Sequence, residues 1–91
     1  IYPAEIEDSL LRHPKVADVG VIGFPDEKWG ESVKAIMVVK PGEELTEKEL
    51  IEWCQGKIGR FKIPKQVVFT DSIPRTPTGK ILKRQLRDSF N

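Results

Sequence analysis

The chain has 91 residues, of which 38% are hydrophobic, 8% aromatic and 32% charged, the make-up of one small folded domain with a solvated surface. No apolar run reaches the ~20 residues of a membrane-spanning helix, no signal-peptide pattern opens the chain, and the single cysteine, Cys54, excludes a disulfide framework. One His and one Cys cannot supply a four-ligand zinc site, so no metal ligands are assigned, and the scarcity of cysteine suits a cytoplasmic setting.

Tyr2 to His13 reads as a first helix. Pro3 suits the first turn, where its missing N–H is not needed, and Ile6 and Leu10 form an i,i+4 apolar pair widened by Leu11. Glu5, Glu7 and Asp8 lie toward the positive end of that helix; Arg12 and His13 lie toward the negative end, where His13 reads as a charge partner, and Pro14 stops it. Val16 to Phe24 is β-branched and alternates at Val19 and Val21, predicting a strand that Gly23-Phe24-Pro25-Asp26 breaks, with a loop over Glu27 to Gly30. Ser32 to Lys40 predicts a second strand, which Pro41-Gly42 turns out of. Thr46-Glu47-Lys48-Glu49 is a capping box opening a helix that carries Leu50, Ile51, Cys54 and Ile58 inward and stops near Gly59. Within it Trp53 reads as packing and Cys54 as a small buried hydrophobe. Phe61-Lys62-Ile63-Pro64 is a loop, Gln66 to Thr70 a short third strand, and Asp71 to Gly79 an exposed loop. From about Lys80 a last helix presents Ile81, Leu82, Leu86 and Phe90. The order α-β-β-α-β-α predicts an α+β fold, a sheet of about three strands packed with three helices.

The net charge of +1 hides an asymmetry. Residues 1–45 carry five Lys/Arg against nine Asp/Glu, and residues 46–91 carry ten against five, so a surface for an anion is expected from Lys57 onward. The only methionine is Met37, so Ile1 is not expected to be a translation start, and the chain is expected to be a piece of something longer.

The first candidate for chemistry is Pro74-Arg75-Thr76-Pro77-Thr78-Gly79-Lys80. A lysine after a Gly/Thr/Pro loop at the opening of a helix is suited to an anion, because backbone N–H groups, helix dipole and ammonium all favour negative charge. It is not a P-loop: Pro74 and Ile81 stand where that motif needs glycine and Ser/Thr. On residue chemistry alone, a solvated turn with an ordinary helix-start lysine is the simpler account. A second candidate is the basic set Lys57, Arg60, Lys62, Lys65, Arg75, Lys80, Lys83, Arg84 and Arg87, which could face nucleic acid or an anionic surface. Asp71 and Asp88 interrupt it and Phe61, Phe69 and Phe90 are not spaced as stacking platforms, so a solvated face is favoured and no nucleic-acid partner is expected. Trp29, in a loop between Lys28 and Gly30, is either folded onto the core or turned to a ligand. The chain offers no plausible Ser/His/Asp set, acidic metal cluster or nucleotide-binding glycine fingerprint, so another domain is expected to complete any active site.

Four segments in order and spacing resemble one family: Tyr2-Pro3-Ala4-Glu5-Ile6-Glu7, Gly23 through Glu31 (Gly-Phe-Pro-Asp-Glu-Lys-Trp-Gly-Glu), Phe61-Lys62-Ile63-Pro64-Lys65, and Pro74 through Ile81. Together they resemble the C-terminal domain of adenylate-forming (AMP-binding) enzymes, a group that includes acyl-CoA synthetases, peptide-synthetase adenylation domains and luciferases. The resemblance covers essentially the whole chain, residues 1–91, and implies that a hinge and a large N-terminal domain binding ATP (with its Mg2+) and a carboxylic acid precede it. It implies that Lys80 reaches the site while the acid is adenylated, and that the domain then rotates so that CoA attacks. By the same resemblance Trp29 and Phe61 line the pantetheine path, with Gly30 and Gly79 at cofactor-binding positions. Some ligases carry a basic CoA-contacting residue where this chain has Ile63, so a CoA-phosphate contact falls to Lys62 or Lys65. Thr78-Gly79-Lys80-Ile81-Leu82-Lys83-Arg84 is most similar to acyl-CoA synthetases, with a tail like medium- and long-chain fatty acid enzymes. A domain loading a carrier protein and a stand-alone basic binding module are the alternatives. The resemblance further implies that a lysine acyltransferase acting on Lys80 would remove its charge and silence adenylation.

Overall fold

The structure, a computed structural model, describes residues 3–28 and 30–91, without the side chains of residues 31 and 61. Its elements are α1 (Pro3–Leu10), β1 (Val16–Asp26), β2 (Gly30–Val39), α2 (Glu47–Cys54), β3 (Gln66–Phe69) and α3 (Lys83–Phe90), with a 3-10 turn at Arg60–Lys62. The predicted α+β order holds. β1 and β2 form an antiparallel hairpin, and β3 runs parallel to β2 on its other side after the α2 crossover, so β2 is central.

Alternation along the strands builds two cores. Val19 and Val21 of β1, Val33, Ala35 and Met37 of β2 and Val67 of β3 pack with Ile6 and Leu10 of α1 and Leu50 and Cys54 of α2. The opposite face gives Ile22 and Ile36, which pack with Ile73 and Leu86 of α3. Val16 also belongs to the first core although it lies an odd number of residues from Val19 and Val21, because the irregularity between Val16 and Asp18 shifts the strand by one residue. Gly20 faces α3, where a Cβ would lie 2.5 Å from Leu86 Cδ2, so its missing side chain lets the helix seat.

Several boundaries differ from expectation. α1 stops at Leu10, and His13 turns back with its N–H on the Leu10 carbonyl at 3.1 Å. His13 is buried rather than a charged helix end: its Nδ1 accepts the Lys15 N–H at 3.0 Å, and its ring lies 4.9 Å from that of Trp53. β1 runs on through Pro25 to Asp26. Pro25 lies on the outer edge of the sheet, where its missing N–H forfeits no ladder bond. α2 opens with the capping box of Thr46 and Glu49 but ends at Cys54, because Gln55 leaves the helix with ψ 124°. Arg60–Lys62 forms a 3-10 turn instead of an open loop. α3 begins at Lys83, three residues after Lys80, because Arg75 pairs with Ile81 and the Leu82 N–H bonds the Pro74 carbonyl at 2.9 Å, holding the chain extended. Trp53 is half-buried against the first core, and Cys54 is fully buried with its thiol pushed up to about 11 by burial.

Candidate functional site

Lys80 stands on a small hairpin rather than at a helix mouth. Both of its backbone groups are tied to Thr76: the Lys80 N–H donates to Thr76 Oγ1 at 3.1 Å, and the Lys80 carbonyl accepts the Thr76 N–H at 2.8 Å. Between them the Gly79 N–H donates to the Thr76 carbonyl at 2.9 Å, and the Thr76 and Thr78 hydroxyls lie 3.0 Å apart. Gly79 has φ +92°, so glycine there has a conformational reason to be in the turn. The Lys80 side chain is exposed, and no hydrogen bond or ion pair holds its ammonium among the described residues. A fixed backbone therefore carries a free cation, which suits an incoming anion as a mobile point charge.

The hairpin is fastened to the sheet by Arg75. Its Nε and Nη2 donate to the Asp18 carboxylate at 3.1 and 2.6 Å, and Nη1 donates to the Gly79 carbonyl. The hydrogen bonds to Asp18 raise the Arg75 pKa further, so the fork is charged at any working pH. Ile73, buried in the second core, anchors the start of the same segment, so Asp71 to Gly79 is, as expected, a largely exposed loop, but one pinned at its base.

The other expected positions gather elsewhere. Gly30 opens β2 opposite Asp26, whose carboxylate accepts the Lys28 N–H at 2.8 Å, the Ser32 hydroxyl at 2.7 Å and the Lys65 ammonium at 3.1 Å. Lys62 pairs with Glu5 at 2.5 Å. Both pairs are partly exposed and such pairs contribute roughly 0–1 kcal/mol, so either lysine can exchange its carboxylate for a phosphate. Trp29 and the Phe61 side chain lie outside the described residues. Asp18 and Asp26 mark these two groups on β1; eight residues of strand put them about 26 Å apart. Gly79 and Lys80 thus belong to one end of β1, and Gly30 and Lys65 to the other.

Among the described residues, four of the nine cations from Lys57 onward pair with acids of the first 45 residues: Lys62 with Glu5, Lys65 with Asp26, Arg75 with Asp18 and Lys83 with Glu7. These pairs offset part of the charge imbalance between the halves, which weakens the case for a basic binding face. Neither Asp18 nor Asp26 is assigned to the site by the sequence alone, although Asp26 lies within the Gly23 to Glu31 segment. The signal for Asp18 was a carboxylate inside a β-branched run where the apolar spacing skips from Val16 to Val19; that for Asp26 was its place just before a turn. No group of three or more His, Cys, Asp or Glu able to hold a metal ion occurs among the described residues. No helix among them is long and apolar enough to cross a membrane.

With this geometry in place, comparison with known proteins is specific. The long-chain-fatty-acid–CoA ligase of Mycobacterium tuberculosis is 48% identical over 91 residues, covering 100% of this chain and 18% of the ligase. A fatty acid–[acyl-carrier-protein] ligase of Streptomyces coeruleorubidus is 48% identical over 90 residues, 99% of this chain and 17% of that protein. The solved structure of a Mycobacterium tuberculosis fatty acyl CoA synthetase superposes with a TM-score of 0.87 at 49% identity, covering 98% of this chain and 18% of the other. The chain therefore spans less than a fifth of the length of the relatives it matches. Residues 5–80 match the sequence pattern of the AMP-binding enzyme C-terminal domain, and with relatives at this identity across the whole chain, it belongs to that family.

Proposed function

We propose that residues 1–91 form the closing C-terminal domain of an ATP-dependent acid–CoA ligase, acting on a medium- or long-chain fatty acid in the cytoplasm with its own N-terminal domain as partner. In such a ligase ATP, brought with Mg2+ by the large domain, activates the carboxylate as an acyl-adenylate, and the CoA thiol then takes the acyl group. Lys80 is the residue this chain contributes to the first half-reaction. Two anions must approach each other there, and a positioned ammonium meets the charge that develops between them. Gly79 gives the turn that aims it. In the second half-reaction the other end of β1 faces the site: Trp29 and Phe61 line the pantetheine path beside Gly30, and Lys62 and Lys65 meet CoA phosphate.

The observation that supports this reading is that the Lys80 hairpin is tied to β1 at Asp18, whereas Gly30 and Lys65 gather at Asp26, eight residues or about 26 Å of strand further along. Groups at opposite ends of β1 are suited to facing the site in turn, which supports a rotation between half-reactions. Acylation of Lys80 by a lysine acyltransferase would abolish its charge and stop adenylation. The test is Lys80→Ala in the full-length parent protein. Adenylation, read as pyrophosphate release, is expected to fall on the order of 10²–10³-fold, about 3–4 kcal/mol. Thioester formation from supplied acyl-adenylate should persist. Near wild-type adenylation would remove Lys80 from this role.

The relative that loads an acyl-carrier protein is as similar to this chain as the CoA ligase is, which favours a second acceptor as an alternative. Offering the full-length enzyme CoA or a carrier protein separates the two.

A further inference from the structure

We propose that Asp18 and Arg75 form a clamp that sets where Lys80 points, making them positioning residues for adenylation; the proposal rests on the role given to Lys80 above. The clamp uses the whole guanidinium fork. Two donors take the two Asp18 oxygens, at 3.1 and 2.6 Å, and the third takes the carbonyl of Gly79. That carbonyl belongs to the peptide group whose nitrogen is Lys80's own, so the plane of the guanidinium fixes the plane from which the lysine side chain departs.

Asp18 is itself held. Its Oδ1 accepts the Val19 N–H at 2.9 Å, and the regular alternation after the irregularity at Val16/Asp18 keeps Asp18 in step with Gly20 and Ile22, on the face that carries Ile73 and Leu86. The carboxylate is therefore aimed at the hairpin from a residue paired in the β1–β2 ladder. Asp18 and Arg75 are partly shielded, their side chains 26% and 34% exposed, so the pair is better protected from solvent than the exposed pair of Lys62 and Glu5. Thr76 supplies the inner half of the same device by tying both backbone groups of Lys80. A lysine at position 75 would keep the charge and lose the fork. Asn at position 18 would keep the size and lose the charge.

The test uses the full-length parent protein and four variants, Arg75→Gln, Arg75→Lys, Asp18→Asn and Asp18→Asn/Arg75→Gln, each also made with Lys80→Ala. Because misplacement by about 1 Å can cost on the order of 10²-fold, adenylation is expected to fall about ten- to a hundredfold in each, with the double variant no slower than the slower single one. Thioester formation from supplied acyl-adenylate should change less than about twofold, which also reports intact folding. With Lys80 already removed, none of the changes should slow adenylation further. Hydrogen exchange supplies a readout independent of activity: the Thr76, Gly79 and Lys80 amides should exchange faster while those of β2 keep their protection. Wild-type adenylation by Arg75→Gln alongside a slow Lys80→Ala overturns the clamp and leaves Lys80 standing. Fast adenylation by Lys80→Ala overturns both. Equal losses in the two half-reactions, further losses without Lys80, or unchanged hairpin exchange would each reduce the pair to general support of the fold and overturn the proposal.

Discussion

Glu7 and Lys83, 76 residues apart in sequence, meet at 2.5 Å over the open edge of β1. Glu7 also accepts the Val21 N–H at 2.8 Å, and Lys83 donates to the Val21 carbonyl at 2.5 Å. The ion pair stands where a neighbouring strand would be, satisfying both backbone groups of Val21 and closing an edge that could otherwise pair with another chain. It also ties α1, β1 and α3 together. The other edge is treated in a similar way, with Glu47 accepting the Val67 N–H of β3 at 2.7 Å.

Removing this carboxylate should cost more than removing its charge alone. Glu7→Ala leaves a largely shielded ammonium and the Val21 N–H without an acceptor, for a loss of about 2 kcal/mol. Glu7→Gln keeps an acceptor for Val21 and should lose about half as much. Urea denaturation of the 91-residue chain orders the two; equal losses would mean that the Val21 contact contributes nothing.

How much of this was readable beforehand depended on how local the determinants are. The capping box of Thr46 and Glu49 spans only four residues, so it is legible in the sequence and present in the fold. The central strand β2 carries its own signal in Val33 through Val39. Pro25 misled because a proline stops a strand only when its N–H side must bond a neighbour, and edge position is a property of the whole sheet. The start of α3 was misplaced for a related reason: Ile81 and Leu82 fit a helical stripe, but the pairing with Pro74 and Arg75 holds them extended. At the candidate site the loop and lysine were legible as a motif. The Asp18–Arg75 clamp was not, because its members are 57 residues apart and only the fold brings them together.

Gly20 is a second long-range determinant. A Cβ at that position would lie 2.5 Å from Leu86 Cδ2, the end of a side chain that is itself fully buried, and 3.6 Å from Ile73. Gly20→Ala should therefore destabilise the chain by about 1–3 kcal/mol through overpacking. Leu86→Ala should cost about 2–5 kcal/mol through the cavity it leaves. The two are in contact and opposite in sense, so the double variant should be more stable than the sum of its parts implies. Strict additivity in a denaturant series would show that α3 does not press on β1 there.

His13 predicts a pH dependence. Its pKa is lowered from 6.5, chiefly by burial and then by the Lys15 and Lys57 charges, with Glu49 opposing. The lowered value means that the unfolded chain takes up the proton more readily than the folded one. The contribution is complete about one pH unit above 6.5 and is lost as the pH falls through 6.5 toward the lowered folded value. Protonation also ends the acceptance of the Lys15 N–H by Nδ1. Glu49, lowered from 4.5 chiefly by its hydrogen bond from Thr46, titrates in a more acidic window and does not confuse the reading. Wild type should lose stability between about pH 7.5 and about pH 5.5, and His13→Gln should show a flatter profile over that interval. Parallel profiles would assign the dependence to other groups.

Cys54 offers a direct probe of whether α2 stays on the sheet. Its side chain is fully buried, and burial raises the thiol to about 11, only slightly opposed by Lys57. The thiolate is the reactive form, so at pH 8 only about one thiol in a thousand is ionised even before access is considered. Native chain should therefore resist iodoacetamide, and labelling should rise with urea in step with unfolding, to one equivalent per chain. Because Leu50 packs in the same core one helical turn earlier, Leu50→Ala should admit the reagent at lower urea without changing the intrinsic reactivity of the thiol. Rapid labelling of the native wild type would show instead that α2 lifts from Met37 and Val67 on its own, leaving the rest of the fold in place.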